Sequence, residues 1–383
     1  MTTDPKRHLV LLGAGHAHLH VLARLARLSR ARRARIRATL VAPYPMQVYP
    51  AMLPGFVAGH YTLAQCTIAL ERLVAASGVQ FIQGRAAHVH ADQHTVELVS
   101  HGQTCTLPYD VLGINTGAVM DRQRLEEQMP GAREHAVFVR PLEAFAAQWE
   151  RLHALAQSQP LALVVVGGGA SGVELALAIR HRLPAVSLKL VSGALPPVAD
   201  HAHGMQQRVA RALRARQIAV VPQRCVGMAA DHLLLDDGTT LPCNGALLAV
   251  GVHAPPWLAR SGLTLDGDGF LAINRWQQSL SHHTVFAAGD IASRADTRHP
   301  KNGEHALQAA GKLAANLLAT LQGDALRAHV PPTRTLTLLG CGDGEAIVNW
   351  GNWTAQGAWA WRWKDRIDRR FVRRYGNRQT DGQ

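Results

Sequence analysis

The sequence predicts an α/β protein with two parallel β-sheets covered by helices, followed by a small C-terminal α+β segment. Two observations support this fold class. The order apolar strand, glycine-rich turn, helix and second apolar strand occurs at the start of the chain and again near its middle. After Pro331 and Pro332 the composition changes, and the remainder is rich in Trp and Arg. Strand–helix–strand units of this kind build parallel sheets.

The first unit opens the chain. His8–Leu12 is a short continuous apolar run, as found in strands that are covered on both faces. Gly13-Ala14-Gly15 follows as a turn. We expect a helix from about His16 to Arg30 and a second strand at Ile36–Val41, which together make a βαβ unit.

The second unit repeats this order in the middle of the chain. Leu161–Val166 is apolar and rich in β-branched residues, and the glycine-rich turn Gly167–Gly172 follows it. We expect a helix at Val173–His181 and a strand at Val186–Val191.

Further elements are predicted around the two units. Ala86–Val99 alternates with period two, as a half-buried strand does. A helix is expected from about Glu304 to Leu321. The other predicted strands, of which the first three run into a glycine, are Tyr109–Thr116, Ala246–Val250, Thr284–Ala288, Thr335–Gly340 and Ala346–Trp350.

Length and charge limit the possible classes of protein. The 383 residues suffice for two or three domains, and 47% hydrophobic with 17% charged residues indicates a folded chain. A formal net charge of +13 favours polyanions: nucleic acid, an anionic membrane or phosphorylated cofactors. An aromatic content of 5% and the absence of zinc-finger or RNA-recognition patterns argue against nucleic acid.

The cysteines are odd in number, and none of them forms a closely spaced pair. This pattern predicts reduced thiols in a cytoplasmic protein, with neither a disulfide framework nor a structural zinc site. The apolar runs at both turns are interrupted by glycines, so we predict no transmembrane helix. The cysteines are Cys66, Cys105, Cys225, Cys243 and Cys341.

A glycine turn between a strand and a helix suits pyrophosphate. Without Cβ atoms the backbone can approach the phosphates closely, and the helix N-terminus offers unpaired N–H groups with a partial positive charge. The second turn has the complete spacing, with Gly167, Gly169 and Gly172 between a strand and a helix.

The first turn is incomplete. Gly13 and Gly15 are present, but His18 stands in the third position, which implies wider spacing between helix and strand. His16, His18 and His20 are two residues apart, which does not place three rings on one helix face, so we predict no metal site. Neither unit has an acidic residue at the end of its second strand, which leaves NADH and NADPH open as cofactors.

These turns and two further motifs resemble the pyridine nucleotide–disulfide oxidoreductase superfamily over about residues 8–325. The motifs are Tyr109-Asp110-x-Leu112-x-x-x-Thr116-Gly117 and Thr284-Val285-Phe286-Ala287-Ala288-Gly289-Asp290. The resemblance implies an enzyme with FAD in the first domain and NADH or NADPH in the second. It also implies two Rossmann-like dinucleotide-binding domains of the three-layer ββα type.

The resemblance further implies domain boundaries and binding residues. Residues 1–125 and 252–330 would form a discontinuous FAD domain, 126–251 the NAD(P)H domain and 331–383 the C-terminal segment. The FAD site would contain Gly13, Gly15, His16, Ala17, Pro50, Thr116, Gly117, Gly289 and Asp290. The NAD(P)H site would contain Gly167, Gly169, Ala170, Ser171, Gly172 and Gly251.

Within the superfamily the chain is most similar to type II NADH dehydrogenases. Tyr49–Pro54 resembles the segment that they place against the flavin, and it lacks the redox cysteine pair of the disulfide reductases. The His16-Ala17-His18 turn, the Pro50–Gly59 segment and the tail also resemble a flavoprotein family associated with selenophosphate synthetase. One departure concerns the quinone pocket: Gln308 matches one of two glutamines, whereas Glu304 stands in the place of the other.

Two residues are candidates for catalysis. By resemblance Glu174, on the helix after the second turn, would point toward the nicotinamide and the flavin. Lys301, just before the predicted helix at Glu304, would add positive charge to a helix N-terminus facing the reduced flavin. The alternatives are a first-turn Glu that complements the helix dipole and an ordinary exposed lysine.

The tail predicts an amphipathic helix. Trp359, Trp363, Ile367, Phe371 and Tyr375 recur every four residues, and an arginine stripe adjoins them. Such a helix can lie on an anionic membrane. We therefore expect a cytoplasmic protein that is peripheral on the inner face of the cell membrane. The alternative is that this stripe packs on the protein's own body or on a dimer partner.

The leading functional hypothesis is a FAD-dependent NAD(P)H dehydrogenase that passes electrons to a quinone. One alternative is a flavoprotein reductase with a soluble acceptor, such as a sulfur or selenium compound. Another is a flavin-binding sensor or scaffold without turnover. The sequence leaves the identity of the acceptor and the oligomeric state open.

Overall fold

The computed structural model of the chain describes residues 6–297, 301 and 303–376, with the backbone alone at 303 and 304. In chain order the strands are β1 (Arg7–Leu12), β2 (Ile36–Ala42), β3 (Met46–Val48), β4 (Thr67–Ala69), β5 (Gln80–Gln83), β6 (Arg85–His90), β7 (Thr95–Ser100), β8 (Gln103–Pro108), β9 (Val111–Ile114), β10 (Ala136–Phe138), β11 (Ala162–Val166), β12 (Ser187–Val191), β13 (Ala219–Val221), β14 (Cys225–Met228), β15 (His232–Leu235), β16 (Thr240–Pro242), β17 (Gly245–Leu248), β18 (Leu271–Ile273), β19 (Val285–Ala287), β20 (Ala292–Arg294), β21 (Leu336–Gly340), β22 (Ala346–Trp350) and β23 (Trp353–Gly357). The α-helices are α1 (His16–Leu25), α2 (Arg30–Ala34), α3 (Leu53–Val57), α4 (Leu70–Ser77), α5 (Arg122–Gln128), α6 (Ala132–His135), α7 (Leu142–Ser158), α8 (Ala170–Arg182), α9 (His203–Ala215), α10 (Gly303–Gln322) and α11 (Ala358–Tyr375).

The first domain is built on a parallel sheet with the strand order β19-β9-β1-β2-β5. Alternate residues of β1 face opposite sides of this sheet. Leu9 and Leu11 pack with α1 and α10, whereas Val10 and Leu12 pack with the antiparallel sheet β6-β7-β8. Helices, parallel sheet and small antiparallel sheet thus form three layers, as predicted.

The structure corrects two of the predicted elements in this domain. The strand expected over Ala86–Val99 is a hairpin, because β6 and β7 pair in antiparallel register around a tight turn in which His94 has φ of +53°. The helix expected from His16 to Arg30 ends at Leu25. A short helix, α2, then begins after Ser29, whose side chain accepts a hydrogen bond from the backbone of Arg32.

The second domain repeats the arrangement. Its parallel sheet has the order β10-β17-β11-β12-β13, and β14-β15-β16 form the antiparallel layer. Val164 and Val166 face that layer, whereas Leu163 and Val165 belong to the core that includes α7, α8 and α9. The predicted fold class of two Rossmann-like domains is therefore confirmed, whereas the exact domain boundaries remain a prediction.

The C-terminal segment is an antiparallel sheet, β21-β22-β23, followed by α11. The predicted apolar stripe of α11 is divided in the structure. Trp359, Trp363 and Ile367 are exposed, whereas Phe371 and Tyr375 are buried against the first domain. The end of the helix therefore packs on the protein's own body, whereas its start is exposed, and membrane binding remains a prediction.

Within residues 6–297, 301 and 303–376, no helix is both long and apolar enough to cross a bilayer.

Candidate functional site

The first glycine turn lies at the carboxyl end of β1, next to the end of β9. Gly13 has φ of +85°, and a Cβ atom there would lie 2.5 Å from the carbonyl oxygen of Asn115. A side chain at Gly15 would collide with the side chain of Asn115. Both glycines are needed because the turn passes directly over the end of β9.

Asn115 connects the parts of this site. Its Oδ1 accepts hydrogen bonds from the backbone N–H groups of Ala17 at 3.1 Å and His18 at 3.3 Å. Its Nδ2 donates to the carbonyl oxygen of Ala288 at 2.5 Å, directly before Gly289. One buried amide thus joins α1, β9 and the Gly289-Asp290 turn. Asn115 was not among the predicted site residues, because nothing along the chain marks this three-way contact.

His18 fills the position of the missing third glycine. Its ring is fully buried, and Nδ1 lies 2.6 Å from the carbonyl oxygen of Gly13. A Cβ atom at Gly113 of β9 would lie 2.9 Å from Nε2 of this ring, so the glycine on the facing strand provides the room. Burial lowers the pKa of His18 to about 4.

His16 joins the first turn to two other segments. Its ring centroid lies 5.4 Å from that of Tyr49 and 5.4 Å from that of Phe371 on α11. Tyr49 and Phe371 stack on each other at 4.5 Å. Burial, with a contribution from Arg140, lowers the pKa of His16 to about 4. The Tyr49–Pro54 segment is therefore anchored between the first turn and the C-terminal helix.

Asp290 has a cationic neighbour from the second domain. Nη2 of Arg140 lies 3.8 Å from Oδ2 of Asp290. Lys301 lies nearby, with Nζ donating to the carbonyl oxygen of Ala292 at 3.0 Å and lying 3.6 Å from the ring centroid of Phe270. Burial lowers the pKa of Lys301, and the charge of Asp290 opposes this shift.

The second glycine turn has a closed side and an open side. Side chains at Gly167 and Gly172 would collide with backbone atoms, and Gly167 has φ of +134°. A Cβ atom at Gly169 would meet nothing within 4 Å. Ala170 and Ser171 begin α8 at this open side, and no side chain caps the helix. The backbone N–H groups of its first turn therefore face accessible space.

Glu174, on the second turn of α8, belongs to a cluster of charges between the three parts of the molecule. Its Oε1 accepts a hydrogen bond from the backbone N–H of Gly340 at 2.7 Å. Lys364 of α11 is buried; its Nζ donates to the carbonyl oxygen of Ala51 at 2.6 Å and to Oδ2 of Asp368 at 2.7 Å. We call Glu174, Lys364 and Asp368 the acid–lysine cluster.

The acid–lysine cluster contains two carboxyl groups and one ammonium group. Burial raises the pKa of Glu174 and of Asp368, although Lys364 opposes both shifts. Burial acts to lower the pKa of Lys364, but Asp368 and Glu174 outweigh it and the net shift is upward. Burial therefore favours the protonated forms of the two acids, and the two acids favour the charged form of the lysine.

The cysteines are free thiols in the structure, and Cys105 is the exposed one. Sγ of Cys66 lies 3.8 Å from the carbonyl oxygen of Met52, in the segment similar to the flavin-facing one. Burial raises the pKa of Cys66 and Cys341 to about 12. Thiols with such a pKa are poor nucleophiles at neutral pH.

A family model described as pyridine nucleotide-disulphide oxidoreductase matches residues 7–310. The chain belongs to this family. It is therefore a FAD-dependent NAD(P)H oxidoreductase, as the resemblance implied.

Two named relatives come from different kinds of organism. Demethylphylloquinone reductase NdbB of Synechocystis sp. is 25% identical over 332 residues, which cover 84% of this chain and 81% of that protein. Ferroptosis suppressor protein 1 of Mus musculus is 27% identical over 202 residues, about half of each chain, with 49% of this chain and 53% of that protein covered.

Solved structures share the fold. Sulfide:quinone oxidoreductase of Aquifex aeolicus superposes with a TM-score of 0.77 at 18% identity, covering 97% of this chain and 92% of that one. NDH2 of Plasmodium falciparum, solved with NADH, also gives 0.77, at 12% identity, covering 97% of this chain and 99% of that one. At these identities the likeness concerns the fold.

The residues of both turns fit the family's cofactors. Cβ atoms at Gly117, Gly169 and Gly251 would meet no atom within 4 Å, so the backbone beside each turn is open to a ligand. The first turns of α1 and α8 contain no acidic residue that would repel a pyrophosphate. The individual binding residues, with His16, Pro50 and Thr116 among them, remain predictions.

The start of α10 is described in part. The helix begins at Gly303, close to the predicted start, and the side chain of Glu304 lies outside the described residues. Gln308 lies on α10 and is partly buried. The comparison with quinone-pocket glutamines therefore stays at the level of sequence.

Proposed function

We propose that this chain is an NAD(P)H:quinone oxidoreductase that works at an anionic membrane surface. The observation that carries the proposal is the position of the C-terminal segment, whose inner side forms the acid–lysine cluster with Glu174 and whose outer side exposes tryptophans. The demethylphylloquinone reductase from Synechocystis, which aligns with most of this chain, supports a quinone as acceptor.

The inner side of the segment reaches residues of both cofactor domains. Gly340, at the end of β21, contacts Glu174 of the NAD(P)H domain. Lys364 of α11 contacts Ala51, next to the Pro50 that is expected to face the flavin. An acceptor that meets this segment is therefore beside charged groups of the chain and close to the flavin-facing segment.

The outer side of the segment is aromatic. Trp350 and Trp353 at the β22–β23 turn are 56% and 53% exposed, and Trp359 and Trp363 on α11 are 42% and 41% exposed. The rings of Trp359 and Trp363 stack at 6.3 Å. We call these four residues the tryptophan patch. Tryptophans prefer the headgroup depth of a bilayer, so the patch would hold the chain against a membrane that dissolves an apolar quinone.

In the reaction the chain itself positions the reactants and supplies a proton. When bound, the flavin supplies the hydride and electron transfer chemistry. Reduction of a quinone to a quinol consumes two protons with two electrons. Burial favours the protonated form of Glu174, which lies at the edge of the acid–lysine cluster toward the NAD(P)H domain. We assign Glu174 the role of general acid toward the acceptor.

This role can be tested with the substitution Glu174→Gln. The amide oxygen can still accept the hydrogen bond from Gly340, so the structure should be retained. Flavin reduction by NADH should stay within a few-fold, whereas quinone turnover should fall by about 10² or more, the usual contribution of a general acid. Glu71→Gln, on the exposed face of α4, is the matched control. Normal quinone turnover in Glu174→Gln would refute this assignment.

The acceptor class is tested by steady-state turnover under anaerobic conditions. A water-soluble benzoquinone and naphthoquinone should support turnover with NADH or NADPH. Cystine, polysulfide and selenite should not, because the thiol nearest the flavin-facing segment, Cys66, is buried and has a raised pKa. Faster turnover with a sulfur or selenium compound than with either quinone would show that the acceptor is a soluble compound and would contradict the quinone assignment.

A further inference from the structure

The positive charge of the chain is concentrated in a region that the proposed membrane attachment has not used. Residues 6–70 contain nine Lys or Arg and neither Asp nor Glu. Four arginines of α1, of α2 and of the turn between them are exposed. We call them the N-terminal arginines: Arg24, Arg27, Arg30 and Arg32.

A second group of arginines lies on the last turns of α11. Its exposed members are Arg366, Arg370, Arg373 and Arg374. Both acids of this helix are occupied on its inner side. Asp368 is buried against Lys364, and Asp365 accepts hydrogen bonds from Tyr61 at 2.7 Å and Arg369 at 2.8 Å. The exposed face of α11 therefore changes from tryptophan at its start to arginine at its end.

The fold brings the two arginine groups together, although they are more than 300 residues apart. Nδ1 of His20 on α1 lies 3.2 Å from the hydroxyl oxygen of Tyr375 on α11. The guanidinium of Arg374 lies 5.5 Å from the ring centroid of Tyr375. Burial is the largest cause that lowers the pKa of His20, and the charges of Arg374, Arg24 and Arg27 lower it further. All three arginines therefore lie near the contact between His20 and Tyr375.

We propose that the N-terminal arginines and the last turns of α11 form one docking face for the anionic headgroups of a lipid surface. This inference rests on the proposed membrane attachment and extends it to the first helix of the FAD domain. A concentration of like charge repels itself unless an anionic partner neutralises it.

The tryptophan patch on the same helix favours lipid as that partner. The 18 residues of α11 extend about 27 Å, with exposed tryptophan at one end and arginine at the other. Two separate contacts with the membrane, one aromatic and one cationic, fix how the molecule is rotated on its surface.

The test is the binding of the FAD-loaded full chain to vesicles of phosphatidylcholine, with and without phosphatidylglycerol. The variant Arg24→Gln/Arg27→Gln should bind the anionic vesicles about 30-fold more weakly, since each arginine near such a surface contributes about 5-fold. The matched control, Arg211→Gln/Arg214→Gln, removes two exposed arginines of α9 in the NAD(P)H domain and should bind nearly like the unmodified chain. Equal flavin content in all three proteins verifies folding.

The outcomes separate this inference from the proposed function. If both double variants bind equally, the N-terminal arginines are outside the contact, and the inference is overturned while the membrane attachment stands. If the unmodified chain ignores anionic vesicles, membrane attachment and inference both fail. Quinone turnover with a water-soluble acceptor is measured separately and is affected by neither result. Tighter binding to a DNA duplex than to vesicles, lost in Arg24→Gln/Arg27→Gln, would make the partner a nucleic acid and overturn the lipid assignment.

Discussion

Gly169 tests the assignment of the two turns at the scale of single residues. A Cβ atom there meets no protein atom within 4 Å, so a large side chain can be accommodated by the fold but would occupy the space beside the N-terminus of α8. Gly169→Trp should therefore keep FAD and lose reduction by NAD(P)H. Absorbance of the bound flavin before and after addition of NADH measures both. Loss of FAD from this variant would mean that the two sites are assigned in the wrong order.

His16 and His18 predict how stability depends on pH. In the folded chain the pKa of each is about 4, against 6.5 for an ordinary histidine. Between these values the unfolded chain binds protons that the fold excludes. The stabilisation is therefore complete above about pH 6.5 and is lost as the pH falls toward 4, by about 1.4 kcal/mol per pH unit for each histidine.

The check is urea unfolding of the FAD-loaded chain at several pH values in this range. His18→Gln should reduce the slope of the unfolding free energy against pH by about 1.4 kcal/mol per unit. An unchanged slope would show that His18 is protonated or solvated in the fold.

At the scale of elements, the predicted apolar stripe of α11 is exposed in its first part and buried in its second. Phe371 is 7% exposed and packs on Tyr49, so Phe371→Ala should destabilise the fold by about 3–5 kcal/mol. Trp363 is 41% exposed, so Trp363→Ala should cost about 1 kcal/mol or less. Chemical denaturation compares the two variants. A larger loss of unfolding free energy for Trp363→Ala than for Phe371→Ala would contradict this orientation of the helix.

The sequence predicted those elements whose signals are local. Both glycine turns and the strands that run into them follow from apolar runs interrupted by glycine, and α10 was also predicted within one residue of its bounds. The hairpin of β6 and β7 was missed because its turn contains His94 at positive φ, where glycine or asparagine would have marked it. The break between α1 and α2 was missed because Ser29 acts as an N-cap inside a stretch with helical pattern.

The site was predicted less completely than the fold. Its glycines carry a recognisable spacing, but Asn115, Arg140 and Lys364 act through partners that are distant along the chain. In the sequence Lys364 is one of many basic residues of the tail, and its contact with the carbonyl oxygen of Ala51 depends on the packing of α11. Only the folded chain shows that this lysine lies near Glu174.

At the scale of the whole molecule, the cysteines distinguish this chain from members of its family that use disulfide chemistry. Four of the five are buried, and the Tyr49–Pro54 segment, which by resemblance corresponds to the one with the redox pair, contains no cysteine. Replacing all five by Ala or Ser should leave flavin reduction and quinone turnover largely intact, although stability should fall. A single Cys→Ser variant that reduces its flavin normally but loses acceptor turnover would restore the sulfur-based mechanism.

The most direct test of the central claim is a single-turnover experiment. The FAD-loaded chain is reduced anaerobically with one equivalent of NADH and mixed with a naphthoquinone carried in anionic vesicles. Return of the oxidised-flavin absorbance with formation of one quinol per flavin is the result expected of an NAD(P)H:quinone oxidoreductase at a membrane surface. A flavin that stays reduced in the presence of quinone but is reoxidised by a soluble sulfur or selenium compound would contradict it.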